Sequence, residues 1–259
     1  MKKIILIMVF FISSVCPIIA QELLPSKEIN TFVIVHGATG GGWDWKTIDQ
    51  RLSANGHTVY RPTLTGLGEK YHLNNSDINL TTHINDIVNL IVFEDLHNII
   101  LVGHSYGGMV ITGVMDRIPE RIKHVTFLDA MVPEDGMSAT EGNPLISEFK
   151  VVDGMVHFPW VDQSLPFPRD VIQSFKTLTE PVSYKNPAAI KLNVTYVALI
   201  PKELSEAGRA EVFLQPSWVR AKKRHWTMRT FEGGHNVHRH KPIEFTAMLE
   251  DTVNDRNSF

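Results

Sequence analysis

The chain has 259 residues, of which 43% are apolar, 20% charged and 9% aromatic, and this excludes a disordered, collagenous or coiled-coil protein and bounds it to one or two domains. Its formal charge of -3 supplies no basic field for a polyanion, and the densest basic run, Lys222-Lys223-Arg224, reads as a solvated face, so no nucleic-acid partner is expected. A single cysteine, Cys16, excludes an internal disulfide framework, a cysteine zinc cluster and a thiol redox pair.

In chain order, Lys2 and Lys3 precede an apolar stretch from Ile4 to about Val15, and Ala20 stands before the polar pair Gln21-Glu22. A charged n-region, a short h-region and a small residue at a cleavage position predict a signal peptide over residues 1–20. The apolar stretch is shorter than the ~20 residues of a membrane-spanning helix. A lipidated Cys16 fits less well, because Val15 precedes it where a small residue is expected and Pro17 follows. Cleavage would remove Cys16 and leave residues 21–259 as one periplasmic or secreted domain without a thiol and without stable membrane insertion. A chain of that length buries roughly 70% of its unfolded surface and needs no disulfide bridge.

Thr31 to Val35 and Asn98 to Val102 are near-continuous apolar runs, each ending at or near a glycine, as buried parallel strands read. Weaker runs lie at Thr58 to Arg61, His124 to Leu128, Val194 to Ile200 and Trp226 to Thr230. Helical spacing occupies Trp43 to Ala54, Thr81 to Leu96 and Tyr106 to Ile118, and a last helix starts near Pro242. Alternating strand and helix predicts an α/β protein with a mostly parallel central sheet covered on both faces. From about 133 to 193 the alternation fails in a Pro-rich and aromatic segment, which is too long for a structureless loop and reads as an inserted cap of short helices over a cavity.

Gly103-His104-Ser105-Tyr106-Gly107 matches G-x-S-x-G between a strand that enters directly and a helix that leaves directly. So sharp a turn strains its central residue and tolerates only small neighbours two positions away, and it projects the Ser105 hydroxyl above the sheet edge beside a helix N-terminus. His36-Gly37-Ala38, after the first strand, can set the Ala38 N–H opposite that of Tyr106 as a two-donor oxyanion hole, with His36 holding the loop by side-chain hydrogen bonds. A serine nucleophile needs a base. Of twelve histidines, His235 is the best placed, in a short loop with Gly233-Gly234 after the late strand. A metal reading of His235, His238 and His240 lacks carboxylates at matching spacing and a second histidine motif, so neither metal nor other cofactor is expected. The acid of a triad is either Asp129, at the end of HVTFLD, or Glu203, just past the strand ending at Ile200. Asp129 is favoured for its fixed position before Ala130.

FVIVHGATGGGWDW, TLTGLGE, GHSYGGMVITGV and FLDAMVPEDG, together with the late GGH, resemble the α/β-hydrolase superfamily, and within it the small bacterial and plant esterases related to hydroxynitrile lyases. The resemblance runs to about Gly136 and leaves the cap unmatched. It implies the α/β-hydrolase fold and a triad of Ser105, Asp129 or Glu203, and His235. Most members carry an aspartate after the later strand, where Ile200-Pro201-Lys202-Glu203 stands here. The related haloalkane dehalogenases carry an acid where Asp129 falls, although Ser105 excludes their reaction. Hydroxynitrile lyases of this type have a threonine at the place of Gly37 and a lysine at that of Asn236, and both departures argue for hydrolysis.

The expectation is therefore an exported serine carboxylesterase acting on small to medium apolar esters through an acyl-enzyme, with Phe158, Trp160 and Phe167 lining the substrate pocket. A lactonase or other carbon–heteroatom hydrolase would use the same triad, and a non-catalytic small-ligand binder is the reading from a different class. The natural substrate and the oligomeric state are not readable from these residues.

Overall fold

The computed structural model describes residues 28–254. The signal-peptide reading and Cys16 lie outside the described residues. Six strands form the main sheet: β1 (Thr31–Val35), β2 (Thr58–Tyr60), β3 (Ile99–His104), β4 (Ile122–Leu128), β8 (Val194–Ile200) and β9 (Thr227–Glu232). Their order is β2-β1-β3-β4-β8-β9 and every pairing is parallel. The helices α1 (Lys46–Ala54), α2 (Leu80–Phe93) and α3 (Gly107–Arg117) follow β1, β2 and β3 in turn. After β8 come α7 (Glu206–Val212) and α8 (Pro216–Lys223), and α9 (Pro242–Asn254) ends the described chain.

The continuous apolar strands are explained by cover on both faces. Phe32, Ile34, Ile100 and Val102 pack with Ile48 and Leu52 of α1 and Phe245 and Leu249 of α9. Their neighbours Val33, Val35, Ile99 and Leu101 pack on the opposite face with Ile84 and Ile87 of α2 and Val110 and Val114 of α3. Strand alternation thus splits each run between two cores. The Asn79 side chain caps α2 by accepting the Thr82 amide at 2.9 Å, and Pro119 follows the last residue of α3 closely and prevents its continuation.

The order of strand addition reverses at β1, whose sequence successor β2 lies on one side and whose other neighbour β3 begins the walk to the far edge. In an open parallel sheet the carboxyl ends of the strands beside such a switch diverge and leave a crevice. His36-Gly37-Ala38 and Ser105 follow those two strands.

Between β4 and β8 the inserted segment carries short helices, as expected, namely α4 (Ala139–Gly142), α5 (Lys176–Thr179) and α6 (Pro187–Ile190). It also holds an antiparallel sheet that the sequence reading did not foresee, made of β5 (Lys150–Val152), β6 (Met155–His157) and β7 (Gln173–Ser174). Asp153 and Gly154, at φ 50° and 76°, make the two-residue turn that pairs β5 with β6. Arg224 departs from the solvated face expected of the basic run. Lys222 and Lys223 are exposed, whereas the Arg224 guanidinium lies over the Tyr184 and Trp226 rings and donates to the Pro133 carbonyl. Its charge serves packing, because a planar guanidinium stacks on aromatic faces at little desolvation cost.

Candidate active site

Ser105 sits at φ 55°, a left-handed conformation that costs a non-glycine residue on the order of 1–3 kcal/mol and persists only where its surroundings enforce it. Here they do. The Ser105 amide donates to the Leu128 carbonyl at 3.3 Å, and its carbonyl accepts from the amides of Gly108 and Met131, each at 3.0 Å. The flanking glycines are required by close approach. A Cβ on Gly107 would lie 2.6 Å from the Val35 carbonyl oxygen, and one on Gly103 would lie 2.6 Å from Ile111 Cδ1. The requirement for small residues two positions either side of the serine is therefore met by backbone of β1 on one side and by α3 on the other.

Asp129, directly after β4, also has a positive φ, 44°, and its amide continues the ladder to Val197 O at 2.8 Å. Its Oδ2 lies 2.6 Å from Nδ1 of His235 in the loop after β9. With a neutral imidazole, Nδ1–H donates to the carboxylate, so Nε2 keeps its lone pair and is the basic nitrogen. Ser105, Asp129 and His235 line one cavity of about 500 Å³. The alternative acid, Glu203, is exposed in the turn before α7, a helix that begins at Glu206 and is capped by Ser205. Sequence order alone had left the two acids open; the side-chain geometry joins Asp129 to His235.

Ala38 and Tyr106 both border this cavity. His36 holds the Ala38 loop as expected: Nδ1–H donates to Gly37 O at 2.8 Å and Nε2 accepts from the Leu64 amide at 3.1 Å. Burial outweighs the Gly37 bond and pushes the His36 pKa down to about 4, so the ring is neutral and can accept at Nε2. The buried Tyr106 hydroxyl lies 3.0 Å from His83 Nδ1 and is committed to that ring, which leaves the backbone amide for the oxyanion.

The loop carrying His235 is fastened from several sides. His104, buried beneath it, donates Nε2–H to the His235 carbonyl at 2.9 Å, and the two rings lie 4.5 Å apart. His238 points to Asp44 at 3.0 Å and stacks on Trp45 at 4.4 Å, while Arg239 grips the same carboxylate at 2.6 and 2.8 Å. Burial opposes ionisation of Asp44, but the bonds from His238 and Arg239 win and hold it well below the usual carboxylate range. His235 and His238 are thus committed to different carboxylates. Asp44 and Arg239 were missed because an aspartate and an arginine 195 positions apart carry no local pattern that pairs them.

Phe158 and Trp160 line the cavity, the first 4% exposed and the second 54%, with their rings stacked 4.6 Å apart. Phe167 does not. It is 65% exposed, carries the Arg169 guanidinium 4.7 Å over its ring, and borders a separate surface pocket with Trp43 and Tyr71. Flanked by Pro166 and Pro168, it belongs to a surface loop. Further apolar lining includes Met131, Ile146, Phe149, Leu178 and Tyr196, and Gln215 and Ser217 add polar groups from the start of α8.

The profile of the alpha/beta hydrolase family matches residues 32–248, and the chain belongs to that family. It is 51% identical over 107 residues to the carbendazim hydrolyzing esterase of Nocardioides sp. (strain SG-4G), an alignment covering 41% of this chain and 44% of that protein. It is 30% identical over 142 residues to Methylesterase 2 of Arabidopsis thaliana, covering 54% of this chain and 52% of the relative. The chain thus spans about half or less of the length of these curated relatives. Among solved structures, an extracellular alpha/beta-hydrolase from a Paenibacillus species superposes with a TM-score of 0.68 at 21% identity, covering 87% of this chain and all of that one, a likeness of fold. These relatives agree with the resemblance to the esterase group read from the motifs.

Proposed function

We propose that this protein is an exported serine hydrolase that cleaves carboxylic esters of small to medium apolar substrates through an acyl-enzyme. The observation that carries the reading is the 2.6 Å bond from His235 to Asp129 on the cavity where Ser105 stands in its left-handed turn. His235 Nε2 takes the Ser105 proton as the hydroxyl oxygen attacks the ester carbonyl, and Asp129 stabilises the imidazolium. The Ala38 and Tyr106 amides hold the tetrahedral oxyanion, each donor contributing on the order of 10²–10³ in rate. The alkoxide leaves with the proton from His235, and water activated by the same nitrogen releases the acid. Gly37 leaves the nucleophile room, because a side chain there would set its Cβ 3.0 Å from that of Ser105.

The test is labelling by a fluorophosphonate probe, combined with fractionation, of wild type and Ser105→Ala expressed from the full chain in an exporting bacterial host. The wild type is expected to label at Ser105 in the periplasmic or culture fraction, without residues 1–20, and to hydrolyse p-nitrophenyl butyrate. Ser105→Ala is expected to lose label and roughly 10³-fold or more in kcat. A Ser105→Ala protein as fast as wild type ends the serine mechanism; a labelled protein that stays cytoplasmic with its N-terminus intact ends the export reading.

A further inference from the structure

A second cavity of about 440 Å³ opens from the same nucleophile. The two cavities share Ala38, Ser105, Trp160 and His235, so Trp160 and the catalytic pair stand on the divide between them. The first is dominated by apolar side chains; the second is bordered by Thr39, Asp44, Asp170, Asn236 and Arg239. An ester whose carbonyl carbon is held at Ser105 must send its acyl and alcohol halves in different directions, and two cavities meet at that point, the second bordered by more charged and hydrogen-bonding side chains than the first.

The polar cavity contains an acceptor whose own donors fall short. Thr39, held at φ 65°, has one hydroxyl proton and two acceptors, the Ala38 carbonyl at 2.6 Å and Asp170 Oδ1 at 3.0 Å. The Thr39 oxygen also accepts from Trp160 Nε1 at 3.0 Å, so its single proton, shared between the Ala38 carbonyl and Asp170 Oδ1, is all that this side chain can give the carboxylate, and Oδ2 receives nothing from it. The nearby Arg239 spends Nε and Nη2 on Asp44. Among the described residues no other group hydrogen-bonds the Asp170 carboxylate, and its burial raises its pKa against the Thr39 bond and the Arg239 charge. A half-buried carboxylate with so little protein donation is completed by a donor on whatever fills the cavity.

We propose that this cavity is the subsite for the alcohol half of the ester, that it selects alcohols bearing an additional hydrogen-bond donor, either a hydroxyl or a protonated amine, and that Asp170 is its specificity-determining residue. The proposal rests on the serine-esterase reading. The alcohol half is assigned here because the segment that carries the imidazole also builds this cavity, through His235, Asn236 and Arg239, and the leaving oxygen must face His235 to receive its proton. Asp44 is neutralised by Arg239, so Asp170 remains as the unbalanced charge and an anionic alcohol is disfavoured.

The experiment compares kcat/KM for the propyl, 2,3-dihydroxypropyl, 2-(dimethylamino)ethyl and carboxymethyl esters of butyric acid on wild type, Asp170→Ala and Asp170→Asn. Wild type is expected to favour at least one donor-bearing ester over propyl by roughly tenfold, the worth of one hydrogen bond to a charged group, and to disfavour carboxymethyl. Asp170→Ala should bring the donor-to-propyl ratio near one. Asp170→Asn, which keeps an acceptor and loses the charge, separates the two donors: a hydroxyl preference persists and an ammonium preference disappears. A wild-type ratio near one, a ratio that survives Asp170→Ala, or a donor preference that appears for hydroxylated acids in place of hydroxylated alcohols overturns the subsite. Hydrolysis that needs Ser105 but ignores Asp170 removes the subsite alone, whereas hydrolysis that survives Ser105→Ala removes the esterase reading beneath it. Should Asp170→Ala fail to fold, the wild-type panel and Asp170→Asn still decide.

Discussion

At Asp129 one backbone angle and one side-chain bond do the same job. A left-handed aspartate at the end of β4 sets its carboxylate 2.6 Å from His235 Nδ1, and the ladder bond to Val197 prevents the turn from relaxing. Asparagine at 129 would offer a donor to Nδ1 and stabilise the wrong tautomer, with Nε2 protonated and unable to accept from Ser105. Asp129→Asn is accordingly expected to lose roughly 10²–10⁴ in kcat on p-nitrophenyl butyrate with little change in thermal stability. Glu203→Gln, altering an exposed turn residue, should stay within about twofold of wild type. A full-rate Asp129→Asn enzyme beside a disabled Glu203→Gln enzyme reverses the assignment. Ser105 was legible because its turn needs glycines at fixed offsets, and those offsets are local. The choice between Asp129 and Glu203 was not, since both follow a strand at the same sheet edge and only side-chain direction tells them apart.

Among the elements, the β3–α3 turn has little freedom. Gly107 is pressed against the last carbonyls of β1, with Val35 O and His36 O at 2.6 and 2.9 Å from any Cβ built there. A methyl group at 107 must push α3 away from β1, and both strands are locked into the sheet by parallel pairing. Gly107→Ala is expected to cost about 1–3 kcal/mol in chemical denaturation and, by moving Ser105 relative to the Ala38 amide, about 10²-fold or more in kcat/KM. Wild-type values for both would mean that the elbow is looser than its contacts require. The parallel strands and first three helices were readable because burial on both faces turns each strand into an unbroken apolar run. The cap shows the opposite case. Its hairpin had a signal in Asp153-Gly154 between two short β-branched runs, but strands of three residues sit below the length at which period two can be recognised. The segment is fastened to the main domain by long-range bonds, Gln173 Oε1 accepting from the Thr39 amide at 2.9 Å and the Glu180 carboxylate from the Thr81 amide and hydroxyl at 2.8 and 2.7 Å. None of these follows a spacing.

For the molecule as a whole, buried neutral histidines set the acid limit. Burial lowers the pKa of His36 to about 4 and that of His83 to about 3, against an ordinary value of 6.5. The unfolded chain therefore binds protons at these two sites before the native state does, and stability is complete above pH 6.5 and falls as the pH drops through a window that reaches down to about 4 for His36 and about 3 for His83. Each ring contributes on the order of 3 kcal/mol across that window. The melting temperature should thus decline steadily from pH 7 to pH 4.5, with proton uptake on unfolding at pH 5; a flat profile over that range would count against both rings being buried and neutral. The amino-acid sequence by itself determined the α/β alternation, the strand–turn–helix at Ser105 and the position of His235, because apolar periodicity and glycine placement act over a few residues. Tertiary structure alone decided that Asp129 is the partner of His235, that Asp44 and Arg239 fasten its loop, that Phe167 stands outside the cavity and that Asp170 faces a polar one. Those relations join groups tens to almost two hundred positions apart, and their strength depends on distance, direction and desolvation, which exist only once the chain has closed on itself.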